Sequence, residues 1–241
     1  MTTTSLLSVL VIGLAGFVHG MTGFGFGLTA MPLLPLLMNL KDAVPLVVVL
    51  TLVASGVKWL TVRDHFSWRQ GLGLVLGSCV GIPFGIYALV RLDETVLRHI
   101  LGVVMLLVAV HDFVTFRKGG FRIPRALGFP LGVASGGLAG AFNMGGPPAI
   151  AFVYSQPWSR EQIASVLQVV FLVGTVLRLL LFGSTGLLDG SVLKLAAWAV
   201  LPMVLALLAG SACASRIPLE RLKKGVSLFL GLMGVKYLLC G

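Results

Sequence analysis

Two short stretches of this sequence place glycine and neutral polar residues inside long apolar runs. Residues 20–27 read Gly-Met-Thr-Gly-Phe-Gly-Phe-Gly and follow His19, and residues 143–148 read Asn-Met-Gly-Gly-Pro-Pro. Glycine costs helix stability and proline removes a hydrogen-bond donor, so both stretches predict interrupted helices. An interrupted helix exposes unpaired backbone N–H groups that bind anions, and glycine lets a ligand approach that backbone closely. The chemistry indicated is the binding of a small anion.

Several side chains in and beside these breaks are candidates for contacts with that anion. His19 is an ionisable residue in an uncharged stretch, which predicts a substrate contact or a proton-sensitive gate, with hydrogen-bonded packing as the alternative. Asn143 can contact substrate or cap an interrupted helix, and the Thr22 hydroxyl has the same two options. The predicted substrate-binding residues are His19, Gly20, Met21, Thr22, Gly23, Asn143, Met144, Gly145, Gly146, Gln168 and Arg178.

Four of these residues have a structural alternative that the sequence leaves open. Met21 and Met144 can be packing residues that border a cavity, because methionine is adaptable. Gln168 lies in the middle of a predicted helix, where its amide can reach the cavity or bond a neighbouring helix. We expect Arg178 near the outer end of its helix, where it extends to the membrane interface, with attraction of anions as the second option. Lys58, near the opposite end of its helix, has the same two options.

Residues for enzymatic or metal chemistry are missing from the sequence. The eight acidic residues fall in predicted loops or at helix ends, and no nucleophile with a base, paired acids or His-Glu-x-x-His motif occurs. Cys79, Cys213 and Cys240 lie in apolar segments at no ligand-like spacing. We therefore expect no enzyme, no catalytic residues, no metal site and no cofactor.

Composition identifies the elements that must position these breaks. Of 241 residues, 57% are hydrophobic and 11% are charged, and the mean hydropathy is +1.03. A soluble domain carries about 25% charged residues, so a soluble protein is excluded and a polytopic membrane protein remains. A membrane-spanning helix needs about 20 apolar residues, which limits the chain to about eight helices. The net charge of +10 is explained by anionic lipid headgroups rather than by nucleic acid.

An internal repeat relates the two breaks. The charge-free stretches 1–40 and 126–159 are too long for one span and too short for two, and each contains a break. Gly-Leu-Ala-Gly at 13–16 recurs at 137–140, an offset of 124 (137 − 13), which places His19 opposite Asn143. We therefore predict one integral membrane domain made of a first repeat, 1–120, and a second repeat, 121–241.

The distribution of basic residues predicts the topology of these repeats. If each broken stretch is a re-entrant hairpin, twelve of the 18 Lys and Arg residues gather on one side, five lie on the other, and Arg178 stays within a helix. The positive-inside rule favours this bias. We therefore predict an all-α protein of two inverted repeats, each a re-entrant hairpin plus three transmembrane helices, with both termini outside. Hairpin arms of roughly 15 residues are about 22 Å long and reach the bilayer midplane.

The two breaks and their flanks resemble a known family. Residues 20–27 leading to Met-Pro-Leu-Leu at 31–34 resemble the first signature of the TauE/SafE sulfite-exporter family, and residues 137–148 resemble the second. The resemblance covers essentially the whole chain, although many members have a plainer Gly-Gly-Gly run at the second break. It implies a plasma-membrane transporter of small sulfur-containing anions such as sulfite, sulfoacetate or related organosulfonates.

The absence of acidic residues within the predicted membrane segments bears on energetics. Proton or sodium coupling usually enlists an intramembrane carboxylate, whereas a potential of 100 mV is worth about 2.3 kcal/mol per unit charge. We therefore expect potential-driven export by alternating access. The alternatives are a soft-metal carrier that uses His19, Met21, Met144 and cysteines, and a non-transporting assembly factor. The expected partners are a small anionic substrate and membrane lipids, and a homodimer is compatible with the sequence.

Overall fold

The computed structural model describes residues 3–66, 68–117, 122–214 and 219–240. Within these ranges the chain forms ten α-helices and three single-turn 3-10 helices and contains no strand, which confirms the all-α class. The α-helices are α1 (Thr3–Thr22), α2 (Phe26–Ala30), α3 (Leu40–Val62), α4 (Trp68–Arg91), α5 (Glu94–Arg117), α6 (Gly128–Phe142), α7 (Gly146–Tyr154), α8 (Arg160–Thr185), α9 (Gly190–Cys213) and α10 (Leu219–Cys240). The 3-10 helices are Leu34–Leu36, Arg63–His65 and Arg125–Leu127.

Six helices in the described part of the chain are long and apolar enough to cross a membrane. They are α1, α3, α4, α5, α8 and α9. The number agrees with the six spans expected, but the set differs, because α1 was expected to be a hairpin arm and α10 a span. α10 has 22 residues, four of which are charged between positions 220 and 224, so its apolar part is short.

The helices on the two sides of each break are unequal in length, whereas arms of about 15 residues were expected. α6 has 15 residues and α7 has 9, whereas α1 has 20 and α2 only 5. α1 continues past the expected break because Gly20 packs against α9, where a Cβ would collide with Leu207 O. Close helix packing thus offsets the cost of glycine in a helix.

Glycines at every fourth position bring α4 and α6 into direct backbone contact. A Cβ on Gly77 would collide with Phe129 O, and a Cβ on Gly85 would collide with Gly137 O. Small residues at this spacing let membrane helices approach closely. Because the contacts advance in the same direction along both helices, α4 and α6 run parallel.

The pair α1 and α9 packs in the same way. A Cβ on Gly16 would lie 2.8 Å from Met203 O, and a Cβ on Gly20 would collide with Leu207 O. These contacts also advance together, so α1 and α9 run parallel. In each pair the first arm of one broken helix therefore packs on a long helix from the other half of the chain.

The remaining long pair, α5 and α10, is antiparallel. A Cβ on Gly102 would lie 3.0 Å from Gly234 O, and a Cβ on Gly231 would lie 3.7 Å from the Cβ of Ala109. As the residue number of the contact rises along α5, it falls along α10.

The bundle buries its middle and exposes apolar side chains around its outside. α3 packs against α8, α9 and α2, and Val47 and Leu50 on α3 are fully buried. In contrast, the side chains of Leu10, Phe84 and Trp198 are more than 60% exposed. Large apolar side chains on the outside of a helical bundle suit contact with lipid chains.

Candidate functional site

The first break is formed by residues 23–25, between α1 and α2. Gly23 has φ 78° and Gly25 has φ 93°, left-handed values that glycine adopts without a Cβ penalty. The Thr22 hydroxyl donates to Val18 O at 2.9 Å and accepts from the Phe24 N–H at 3.2 Å. Thr22 therefore caps the end of α1, which is the second of its two predicted roles.

The second break is formed by residues 143–145, between α6 and α7. Asn143 has φ 52°, a left-handed value that asparagine tolerates better than most residues. The Ser135 hydroxyl donates to Gly145 O at 2.5 Å and fixes the loop. Pro147 lies in the first turn of α7, where its missing N–H costs little because that N–H would have no partner inside the helix.

The two breaks lie at an offset of 120 residues rather than 124. α1 ends at Thr22 and α6 at Phe142 (142 − 22), and α3 and α8 begin at the same offset. Asn143 therefore corresponds to Gly23, and His19 corresponds to Ala139. The predicted pairing of His19 with Asn143 was wrong, because the recurring Gly-Leu-Ala-Gly tetrapeptide does not mark equivalent positions.

The two breaks touch each other. A Cβ on Gly27, in α2, would collide with Asn143 O and would lie 3.2 Å from Asn143 Nδ2. Only glycine permits this approach of one backbone to the other. The interrupted helices of the two halves therefore meet at one point in the bundle.

A cavity lies beside this crossing, and its empty volume including the mouth is about 530 Å³. It is lined by both breaks and by parts of α3, α4, α6 and α8. The polar side chains that line it are those of His19, Thr51, Ser78, Ser135, Asn143 and Arg178. The amino-terminal ends of α2 and α7 also face it, although Pro147 and Pro148 remove two N–H groups from α7.

Among the described residues that line the cavity, Arg178 is the only lysine or arginine. Its side chain is only 3% exposed, so it does not extend to the membrane interface as expected. The reason is that α8 continues to Thr185, which leaves Arg178 two turns inside the helix and on the face towards the bundle. The second predicted role, attraction of an anion, fits this position.

Neutral groups surround the Arg178 guanidinium. Nε donates to Gly174 O at 3.1 Å, Nη1 to Ala139 O at 3.0 Å and also to Asn143 Oδ1, and Nη2 to Thr175 Oγ1 at 2.8 Å. The ion pairs found in the described ranges, Arg98–Glu94 and Arg63–Asp64, involve other residues. A buried charge without a counter-ion is costly, so a bound anion would stabilise this site.

The contacts leave donors for such an anion. A guanidinium has five N–H groups, and the four contacts above use four of them, so one Nη2–H remains. Asn143 Nδ2 donates to Thr51 Oγ1 at 2.9 Å and has a second hydrogen. Both groups belong to cavity-lining residues.

His19 is the second ionisable side chain at the cavity. It lies in the last turn of α1, is 1% exposed, and packs edge-on against Phe26 with ring centroids 6.3 Å apart. Neither ring nitrogen has a hydrogen-bond partner in the described structure. Buried polar atoms are normally bonded, so this histidine is not satisfied by packing and a ligand is a fitting partner.

Five predicted residues do not line the cavity: Gly20, Met21, Thr22, Gly23 and Gln168. Gly20 packs on α9, and its carbonyl accepts from Lys58 Nζ at 3.1 Å and Ser211 Oγ at 3.1 Å. Gln168 Nε2 donates to Gly23 O at 2.6 Å, so it bonds a neighbouring segment, one of its two predicted options. Gly20, Thr22, Gly23 and Gln168 thus shape the first break instead of facing the cavity. The predicted residues that the cavity does bring together are His19, Asn143, Met144, Gly145, Gly146 and Arg178.

Sequence reasoning missed three polar residues of the cavity: Thr51, Ser78 and Ser135. Ser78 and Ser135 lie on the α4 and α6 faces that pack through glycines at every fourth position. A hydroxyl beside such a glycine row is a signal for a buried polar position near a close helix contact.

The described residues contain no group of three or more His, Cys, Asp or Glu side chains that could hold a metal ion. Cys79, Cys213 and Cys240 are free thiols, and none of them lines the cavity.

Comparison with known proteins agrees with this architecture. The sequence model of the family described as "Sulfite exporter TauE/SafE" matches residues 8–237. A relative from Cupriavidus necator, named "Probable sulfite/organosulfonate exporter TauE", is 29% identical over 205 residues, which cover 83% of this chain and 80% of the relative. No solved structure matches the chain. Because the family match spans nearly the whole chain, this protein belongs to the TauE/SafE sulfite exporter family.

Proposed function

We propose that this protein is a secondary transporter that exports a small sulfur-containing anion, such as sulfite, sulfoacetate or a related organosulfonate, across the cytoplasmic membrane. Family membership and the name of the Cupriavidus relative support this substrate class. The observation that carries the proposal is Arg178, a buried cation at a cavity with only neutral partners in the described structure. The substrate supplies the negative charge that the protein itself does not.

The proposed binding site combines charge with fixed donors. The free Nη2–H of Arg178 and the second amide hydrogen of Asn143 bind two oxygens of a sulfite or sulfonate group. A ring N–H of His19 is a third donor, and the backbone at Gly145 and Gly146 borders the same space. These three N–H donors, one of which belongs to the Arg178 cation, suit a group that presents three oxygens on one sulfur atom.

Transport by alternating access follows from a two-fold arrangement of the halves 1–120 and 121–241. The offset of 120 at the breaks, and the exchange of partners between α1–α9 and α6–α4, support two equivalent halves. The equivalent helices α5 and α10 are antiparallel, which fits a two-fold axis in the membrane plane and therefore inverted repeats. In this arrangement each broken helix is a re-entrant hairpin, and both termini lie outside.

The membrane potential is the proposed driving force. No Asp or Glu is among the cavity-lining residues of the described structure, so an acidic partner for proton or sodium coupling is missing there. A potential of 100 mV, negative inside, favours exit of a monovalent anion by about 2.3 kcal/mol. Electrogenic uniport is the simplest mechanism consistent with the site.

Flux measurements in proteoliposomes test the proposal. We expect sulfite efflux from vesicles that contain the protein to accelerate when the interior is made negative by a potassium diffusion potential. Empty vesicles control for leak, and chloride efflux under the same potential controls for unselective permeation. Flux that ignores voltage but follows a pH gradient would reject uniport, and absence of sulfite or organosulfonate flux would reject the function itself.

The soft-metal carrier is disfavoured by the same cavity. Of its proposed ligands only His19 and Met144 line the cavity, and they share it with the Arg178 cation, which repels a metal ion. Binding of Ni²⁺ or Cu⁺ without any binding of sulfite, sulfoacetate or thiosulfate would reverse this conclusion.

A further inference from the structure

Lys58 occupies in the first half of the chain the position that Arg178 occupies in the second. α3 begins at Leu40 and α8 at Arg160, so each helix begins 18 residues before its cation, and the two cations are 120 residues apart (178 − 58). This is the offset that relates the two breaks. The two halves therefore place a basic side chain on equivalent helices at equivalent heights.

The two cations also make the same kind of contact. Lys58 Nζ donates to Gly20 O at 3.1 Å, in the last turn of α1, and Arg178 Nη1 donates to Ala139 O at 3.0 Å, in the last turn of α6. Each cation thus binds the carbonyl end of the first arm of a broken helix, where the helix dipole is negative. Lys58 Nζ additionally lies 3.3 Å from Ser211 Oγ of α9.

The hydroxyl beside each cation is also repeated, but its bonding differs. Thr175 Oγ1 accepts a hydrogen bond from Arg178 Nη2 at 2.8 Å. The equivalent residue, Ser55 (175 − 120), is fully buried, and its Oγ has no partner in the described structure. Ser55 lies three residues before Lys58, so both side chains share one face of α3. A buried hydroxyl without a partner is unfavourable and rare, and a partner in another state of the molecule or from a ligand relieves the cost.

The described cavity reaches only one of these two cations. Arg178 lines it, whereas Lys58 does not, and the bonds of Lys58 connect α3 to α1 and, at Ser211, to α9. The two cations therefore have different surroundings in this conformation: Arg178 is buried at the cavity, whereas Lys58 is half-buried and bonded to α1 and α9.

We propose that Lys58 and Ser55 form a second binding station for a sulfite or sulfonate group, closed in this conformation, that receives the anion when the transporter faces the opposite side of the membrane. This inference rests on the proposed function as an anion exporter. When the halves exchange states, Lys58 releases Gly20 O and Ser211, and its ammonium and the Ser55 hydroxyl bind the anion as Arg178 and its neighbours bind it here.

Transport measured from each face of the membrane tests the station. Lys58→Gln is assayed in inside-out and right-side-out vesicles, with the half-saturating sulfite concentration determined for each face. We expect an increase of about tenfold on one face, because a hydrogen bond to a charged group is lost there. Arg178→Lys is expected to increase the same quantity on the other face. Lys41→Gln is the matched control, because Lys41 lies on the same helix and donates to a backbone carbonyl, Val90 O, at 3.1 Å.

Ser55→Ala separates binding from folding. Removal of a buried hydroxyl that has no partner does not weaken this conformation, so the thermal unfolding midpoint should not fall. The half-saturating sulfite concentration should nevertheless rise several-fold on the face affected by Lys58→Gln. Ser8→Ala, which removes another fully buried hydroxyl, bonded at 2.9 Å to Thr4 O, is the control and should leave the half-saturating sulfite concentration unchanged.

Equal effects of Lys58→Gln on both faces, or unchanged transport by Ser55→Ala, would overturn the second station and leave the exporter intact. Wild-type vesicles that move no sulfite or organosulfonate would instead remove the proposed function and the station with it. The two failures are therefore distinguished by the wild-type flux.

Discussion

The two helix breaks have the same length and position in their halves, but different residues build them. The first consists of Gly23, Phe24 and Gly25, and both glycines adopt positive φ. The second consists of Asn143, Met144 and Gly145, and the left-handed residue is an asparagine. The first break is thus turned by two left-handed glycines, and the second by a single left-handed residue that carries a polar side chain, while Gly145 has a right-handed φ of −69°.

The hydrogen bonds that support the two breaks also differ. The first break is held through its carbonyls, by Gln168 at Gly23 and by Lys58 at Gly20. The second is held through one carbonyl, by Ser135 at Gly145, and also through a side chain, by Arg178 and Thr51 at the Asn143 amide. This difference suggests that the first break provides room for close approach and that the second provides the groups that recognise an anion.

The largest effect should come from the point where the breaks touch. In Gly27→Ala the added methyl group would collide with Asn143 O, so the two breaks cannot keep their contact. We expect loss of monodisperse folded protein in detergent, measured by size-exclusion chromatography and thermal unfolding. Gly56→Ala is the control, because a Cβ there meets nothing within 4 Å and alanine favours a helix by up to about 1 kcal/mol. A Gly27→Ala protein of wild-type stability would show that the breaks do not cross as described.

The next largest effect should separate transport from stability at Arg178. Arg178→Met removes the buried charge and retains apolar bulk, while Ala139 O keeps its bond from the Asn143 N–H at 2.9 Å. We expect sulfite flux to fall by about a hundredfold, since charge-assisted bonds to the anion are lost. The unfolding midpoint should not fall, because a buried cation without a counter-ion is removed.

Retention of flux by Arg178→Met would refute the assignment of anion recognition to the second break. If Arg178→Met and Arg178→Lys lose sulfite flux to a similar extent, the planar guanidinium group is required, and a positive charge alone is not enough.

Asn143 allows the conformation and the amide of the second break to be tested separately. Asn143→Gly keeps the left-handed backbone but removes the amide, so we expect the half-saturating sulfite concentration to rise about tenfold. Asn143→Ala removes the same amide and also places a Cβ in a left-handed conformation, which costs about 1 kcal/mol. We therefore expect it to transport sulfite as the glycine variant does but to be less stable. If the two variants differ in transport but not in stability, Asn143 acts by conformation and not by contact.

Much of this fold could be predicted because composition and breaks are local signals. The low charge content predicts membrane helices, and glycine and proline locate the breaks within about three residues, at 23–25 and 143–145. Pro147 in the first turn of α7 follows from its missing N–H. These features depend on a few neighbouring residues and not on distant packing.

The site was harder to predict because it depends on which helix faces meet. Arg178 was expected at the membrane interface, since a charge-free stretch does not reveal that α8 continues to Thr185 and turns this residue inwards. The repeat offset was misjudged because Gly-Leu-Ala-Gly recurs by composition in a glycine-rich sequence. An offset of 120 would have paired Lys58 with Arg178 and indicated a matched role for both.

The smallest effect should come from Gln168, which distinguishes support of the first break from contact with the anion. Gln168→Leu removes the bond from Nε2 to Gly23 O and also a buried oxygen, Oε1, that has no partner in the described structure. The lost hydrogen bond lowers the stability, and the removal of the unpaired oxygen raises it. We therefore expect a net decrease in stability of about 1 kcal/mol or less. The half-saturating sulfite concentration should stay unchanged, because Gln168 does not line the cavity. A clear rise in that concentration at unchanged stability would place Gln168 in the binding site and make the first break, like the second, a source of side-chain recognition.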